Sequence, residues 1–194
     1  PLIARECRWV GRVAPGSWIG PRTIRGQFEA LRAAGTLHLY LPKGYRKDGN
    51  HPLVIALHGW NSPVKDWKLP FRSGIAAEAD RLGAVVAVPD MGRSVYETAY
   101  YPEVPFRDPT GRAPRIPGSH WIGKVVLPRL RRCLAVSPER SHTAIIGYST
   151  GGRGAVLVAQ HYQEFGLVAG FSGTYDLMDL KPGTAIEDIK LDRV

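Results

Sequence analysis

One serine in this chain stands in a setting that can do covalent chemistry. Ser149 lies between Gly147-Tyr148 and Thr150-Gly151, a G-x-S-x-G pattern, and Gly152 follows. A serine hydroxyl is a weak nucleophile at neutral pH and works only where a base can take its proton and an acyl carbon can approach. A sharp turn from a strand into a helix provides such a place. The hydroxyl stands clear of the chain, the glycines admit close backbone neighbours, and the first N–H groups of the helix favour a developing oxyanion. The Thr150 N–H is then one oxyanion donor. The bland alternative is a glycine-rich turn whose serine only caps the helix.

The flanking residues predict the elements such a turn needs. Thr143 to Ile146 is a short apolar run ending at a glycine, and Arg153 to Ala159 reads as a helix. Pro52 to Leu57 is a continuous apolar run, typical of a strand buried on both faces, and it ends at His58-Gly59-Trp60-Asn61. A glycine at that place lets the chain turn its N–H groups toward the carboxyl end of the sheet, so the Trp60 N–H is the expected second donor. His58 is expected to brace this loop by hydrogen bonds.

A helix from Ser73 to Leu82 and a buried strand from Ala84 to Val88 complete a crossover unit. A further strand is predicted at Leu167 to Phe171. Near-alternation over Thr23 to Leu31 and Thr36 to Leu41 predicts an antiparallel hairpin turning at Ala34-Gly35, with Leu37, Leu39 and Leu41 on one face. His38 falls on the other, polar face and is a weak catalytic candidate. Ser119 opens a predicted helix running to about Ala135, which Pro128 should kink, and His120 at its start reads as a capping or surface residue. Asp90 to Gly118 has no period and follows a strand end beside the expected site, so it reads as part of a substrate wall.

The 194 residues suggest one domain, organised as an irregular leader over residues 1–22 and a folded domain over 23–194. The fractions of hydrophobic (44%) and charged (22%) residues are those of an ordinary globular protein. No apolar stretch is long enough for a membrane span. The net charge of +9 permits acidic partners, but no nucleic-acid motif accompanies the Arg129-Leu130-Arg131-Arg132 cluster, which reads as a solvated helix face. Cys7 and Cys133 can pair or stay free. The chain begins at Pro1 rather than Met, so residues have been removed or trimmed, and an export signal could have gone with them, which weakly favours an exported protein over a cytoplasmic one.

Five segments in order resemble the esterase D, antigen 85 and feruloyl esterase type of α/β-hydrolase. They are Leu39-Tyr40-Leu41-Pro42-Lys43-Gly44-Tyr45, Leu57-His58-Gly59, Pro89-Asp90-Met91-Gly92-Arg93-Ser94-Val95-Tyr96, Gly147 to Ala155, and Phe171-Ser172-Gly173-Thr174-Tyr175-Asp176. The resemblance implies a three-layer α/β/α sandwich with a mostly parallel sheet and an N-terminal antiparallel hairpin. It also implies Ser149 as nucleophile, main-chain oxyanion donors at Trp60 and Thr150, carboxylic or thioester substrates of small molecules or glycans, and no cofactor or metal. Arg93, Tyr96, Trp60 and Trp67 are the candidate substrate contacts.

In that family an acid and then a histidine follow the serine. Asp176 is the candidate acid, but the only histidine among the last 45 residues is His161, on the helix leaving the serine and expected to point away. We therefore expect a chain that lacks its C-terminal strands. The alternatives are a natural pseudo-esterase that binds without turnover, for instance an acidic glycan, or a site in which His58 or His120 substitutes. An acyltransferase of the same fold is the alternative chemistry.

Overall fold

The computed structural model describes residues 7–10, 14–28, 31–60, 69–90, 94, 96, 118–173 and 175. Six strands lie among the described residues: β1 (Ser17–Phe28), β2 (Leu31–Leu41), β3 (Leu53–Leu57), β4 (Val85–Asp90), β5 (Thr143–Tyr148) and β6 (Leu167–Phe171). Helix α1 (Leu69–Leu82) joins β3 to β4, and α3 (Thr150–His161) joins β5 to β6. Helix α2 precedes β5 and is built from Gly118–His120, a π-helical stretch Trp121–Val126, and Leu127–Cys133.

The strands form one sheet in the order β1-β2-β4-β3-β5-β6. The β4-β3-β5-β6 part is parallel, whereas β1 with β2 and β2 with β4 are antiparallel. This follows from the sequence: Leu53–Leu57 and Val85–Pro89 are unbroken apolar runs, and each is buried on both faces between helices. On one face Leu37, Leu39, Leu41, Ile55 and Ile145 pack with Ile122, Val126 and Leu130 of α2 and Ala155 and Val158 of α3. On the other, Tyr40, Ala56, Val86 and Val88 pack with Ile75, Ala76 and Ala79 of α1. The result is the expected three-layer α/β/α sandwich with an N-terminal hairpin.

Several details correct the sequence reading. Phe28 pairs with Leu31, so the hairpin does not turn at Ala34-Gly35, which lie inside β2 opposite Arg25 and Ile24. Strand β1 begins at Ser17, within the residues read as an irregular leader, and it shifts register between Ile19 and Arg22. Gly20 and Pro21 hide the first part of this strand from pattern reading, which found it only from Thr23, yet both are tolerated at a bulge in an edge strand. The polar face of β2 is not solvated: His38 and Tyr40 are both buried, Tyr40 against Ile75, Ala76 and Ala79 of α1. Ahead of Pro128 the helix widens, with the Leu127 N–H donating to the Ile122 carbonyl five residues back. This spacing belongs to a π turn and accommodates a residue that cannot donate. The arginine cluster is likewise more than a solvated face. Arg129 donates to the Arg25 carbonyl, and Arg131 bonds Glu164 and Thr143, tying α2 to the start of β5 and the end of α3.

Cys7 and Cys133 are joined by a disulfide that spans 126 positions and pins the N-terminal segment to the end of α2. Closing so long a loop restricts the unfolded chain. Replacing both cysteines by serine should lower the unfolding free energy in urea by about 2–4 kcal/mol.

Asp80 makes the main polar tie between α1 and the hairpin. It accepts the Lys43 N–H at 2.8 Å and the Tyr40 hydroxyl at 3.0 Å, with Lys43 Nζ at 3.2 Å. Chiefly the Lys43 N–H, and then Tyr40 and the Lys43 ammonium, hold its carboxyl below the ordinary value. Burial, reinforced by Asp80, raises the Tyr40 hydroxyl. A carboxyl depressed in the folded state stabilises fully above its unfolded value and loses that contribution as pH falls through the folded one. Asp80→Asn should therefore lower the melting temperature at neutral pH, and its gap from the wild type should close as the pH drops below about 4.

Candidate active site

Ser149 joins β5 to α3 with φ 57° and ψ −125°, a backbone conformation rare for a residue with a side chain. Its N–H donates to the Phe171 carbonyl at 2.9 Å, and its own carbonyl accepts the N–H groups of Gly152 at 2.8 Å and Arg153 at 3.2 Å. A Cβ on Gly147 would lie 2.0 Å from the Gly151 oxygen, and one on Gly151 would lie 2.4 Å from the Leu57 oxygen and 2.5 Å from that of His58. The two glycines are thus demanded by contact: the turn presses on itself and on the end of β3. Gly59 is also close, since a Cβ there would stand 3.2 Å from Ser149 Cβ.

The two expected oxyanion donors come from these neighbours. Thr150 is buried at the first position of α3, where its N–H has no intrahelical acceptor. Trp60 follows Gly59 at the end of β3 and is half-buried. His58 is buried, its Nδ1 lies 2.8 Å from the Gly59 carbonyl, and its own carbonyl accepts the Tyr96 hydroxyl at 3.0 Å. It braces the loop as its position suggests.

Tyr96 requires a correction. It is wholly buried and so cannot line a substrate wall. Its ring lies where a Gly154 Cβ would be, 2.4 Å away, and its edge meets the His58 ring at a centroid distance of 6.1 Å. Tyr96 is a strut between α3 and the end of β3. The signal in the sequence was Gly154, a glycine inside a helix that needs a packing reason. Pattern reading also missed Asp90, whose Oδ1 lies 3.7 Å from His58 Nε2, and Arg153, a guanidinium only 1% exposed behind the elbow. Arg93, Trp67 and Asp176 lie outside the described residues, as does most of the segment read as a substrate wall.

All six histidines of the chain are described, and they decide which could serve Ser149. His38 lies in β2, three strands from β5 in the sheet, or about 14 Å at usual strand spacing. His161 ends α3, about 18 Å along the helix from the elbow. His120 joins it there, its Nδ1 bonded to the Tyr162 hydroxyl and its ring 6.4 Å from that of His161, so the proposed substitution by His120 fails on distance. Burial raises that Tyr162 hydroxyl to about 12. His51 and His142 precede β3 and β5 at the opposite end of the sheet. His58 alone is adjacent, and both of its ring nitrogens are turned to other oxygens. Among the described residues no group of three or more His, Cys, Asp or Glu could hold a metal, and no helix is long and apolar enough to cross a membrane.

A mostly parallel sheet between helix layers, with a positive-φ serine between one of its parallel strands and the next helix, defines the α/β-hydrolase fold. Residues 29–184 match the family model described as Putative esterase, and the chain belongs to that family. No curated protein matches it in sequence. Solved structures similar to it include the fluorophosphonate-binding serine hydrolase FphF of Staphylococcus aureus, with 20% identity, TM-score 0.64 and coverage of 87% of this chain and 62% of that one. The S-formylglutathione hydrolase FrmB of the same organism gives 19%, 0.61, 85% and 61%. A ferulic acid esterase of Anaeromyces mucronatus, in complex with ferulic acid, gives 20%, 0.59, 86% and 62%. The chain thus spans about three-fifths of the length of these structures.

The contact between Tyr96 and Gly154 can be tested by a double-mutant cycle. Gly154→Ala should destabilise the protein by about 2 kcal/mol or more through overpacking. In a Tyr96→Ala background the same change should cost at least about 1 kcal/mol less, because the obstructing ring is gone.

Proposed function

We propose that the protein is a serine esterase that cleaves carboxylic or thioesters through an acyl-enzyme on Ser149. The observation that carries this reading is the strained serine itself, held at φ 57° between glycines at the carboxyl end of a parallel sheet. A strained backbone at a half-buried serine points to function, since a capping serine would need no such geometry. Ser149 Oγ attacks the carbonyl carbon while its proton passes to a base. The resulting oxyanion is held by the N–H groups of Trp60 and Thr150, and collapse expels the alcohol or thiol, which takes the proton from the base. Water then gives a proton to the base as it attacks the acyl-enzyme, and that proton passes to Ser149 Oγ as the acid leaves. Family membership and the named activities of the similar structures support esters and thioesters as the substrate class.

The base is none of the six histidines, on the distances and partners above. We place it in a longer polypeptide, in keeping with the greater length of the similar structures, with Asp176 after β6 as the candidate acid that orients it. The β6 edge fits this arrangement: Leu167, Val168 and Phe171 are all exposed there, a state that edge strands rarely leave uncovered. Arg93 and Trp67 remain candidate substrate contacts, and the disulfide favours an exported protein.

The test is capture of the natively produced protein by a fluorophosphonate, followed by peptide mapping. One adduct is expected, on Ser149, and Ser149→Ala should abolish it and reduce p-nitrophenyl acetate hydrolysis by at least about 10³-fold. An unchanged hydrolysis rate in that variant would overturn the mechanism. Absence of any adduct on the wild type would favour a noncatalytic binding domain.

A further inference from the structure

Thr150 carries two donors, a main-chain N–H and a side-chain hydroxyl, and the hydroxyl has no structural use. The residue is 4% exposed, and Oγ1 is buried with no hydrogen-bond partner among the described residues. A hydroxyl withdrawn from water without a partner lowers stability, so a site shaped for folding alone would hold valine here.

The position of Thr150 explains why its hydroxyl is unpaired. Inside a helix a threonine hydroxyl can bond the carbonyl three or four residues back. Thr150 is the first residue of α3, and those places are Gly147 and Ile146 of β5, on the far side of the elbow. The carbonyls around the turn are engaged elsewhere. That of Ser149 accepts the N–H groups of Gly152 and Arg153, that of Phe171 accepts the Ser149 N–H, and that of His58 accepts the Tyr96 hydroxyl. Because the Cα–Cβ bonds of a helix tilt toward its N-terminus, the Thr150 side chain is carried at the end of α3 where Ser149 stands.

We propose that the Thr150 hydroxyl is a third oxyanion donor, engaged once the carbonyl carbon has bonded to Ser149. This rests on the acyl-enzyme reading of Ser149. In two of the three staggered rotamers of a threonine, Oγ1 stands gauche to the backbone nitrogen, so that N–H and O–H can share one acceptor. An oxygen held by the Thr150 N–H is then within reach of the hydroxyl. Solvent does not compete for Oγ1, and a donor sheltered from water acts more strongly on a charge. Substrate oxygen arrives by another route, because attack places it two bonds from Ser149 Oγ and charges it in the same step. The hydroxyl therefore bonds the oxyanion rather than the ground-state carbonyl, and an interaction of that kind raises rate, not affinity. The Thr150 proton stays on Oγ1 throughout.

Thr150→Val separates rate from stability, since it removes the hydroxyl at nearly constant volume. With no partner lost in the free protein, its melting temperature should equal or exceed that of the wild type. Fluorophosphonate is the probe, because its phosphoryl oxygen takes the oxyanion position in the adduct. In natively produced Thr150→Val the maximal capture rate should fall by about 10-fold or more with half-saturation unchanged, and kcat for p-nitrophenyl acetate should fall with KM unmoved. Thr150→Ser, which keeps a hydroxyl at the same place, should recover most of both rates. Capture of Thr150→Val at the wild-type rate overturns the third donor alone and leaves the nucleophile standing. A melting temperature lowered in Thr150→Val and restored in Thr150→Ser identifies a structural hydroxyl and overturns it equally. If the wild type itself is not captured, the acyl-enzyme reading fails and the third donor fails with it.

Discussion

The left-handed backbone of Ser149 is the constraint on which the rest of this molecule depends. A residue with a side chain costs about 1–3 kcal/mol in such a conformation, so it persists only where its surroundings leave no alternative. Here the surroundings are three strand ends. Strand β6 supplies the Phe171 carbonyl that holds the Ser149 N–H, β3 supplies the Leu57 and His58 carbonyls against Gly151, and β5 supplies Gly147. Change the register of any one, and the elbow loses a wall.

Strain is also concentrated there. The three described residues other than glycine with positive φ are Tyr96, Ser149 and Ser172. Ser172 follows the carbonyl that anchors Ser149, and Tyr96 holds the carbonyl on which Gly151 packs. Each therefore supports the elbow directly or through one contact. Buried polar groups gather at the same place: Thr150, Arg153 and His58 lie within a few residues of the turn or against it. A core built only for stability would place apolar groups there, because burying charge without full compensation is costly.

The sequence made the elbow legible because its determinants are local. A glycine pair around a serine, an apolar run before it and a helix after it are all read from about fifteen neighbouring residues, and the packing distances explain why those glycines occur. The parallel strands were legible for the same reason, as unbroken apolar runs. What escaped reading was set by tertiary contact. The start of strand β1 was hidden by Gly20-Pro21, which make sense only at a bulge opposite Leu37. Tyr96 looked like a substrate contact because the glycine that admits its ring, Gly154, is 58 positions away. Asp90 showed no pattern linking it to His58, since β4 and β3 meet only in the folded sheet.

The histidines show how the site divides. Electrophilic assistance needs fixed N–H groups, and the proposed mechanism takes them from main chain at the ends of β3 and β5, where the sheet itself positions them. Proton transfer needs a mobile side chain within hydrogen-bond reach of Ser149, and nothing in the β3–β5 contact supplies one. Five histidines are spread along other strands and the far helix ends, and the sixth is spent on the Gly59 carbonyl. In the proposed mechanism, the half of the site that stabilises charge is main chain at these strand ends. The elbow is walled by β3 on one flank, and the exposed β6 edge lies on the other.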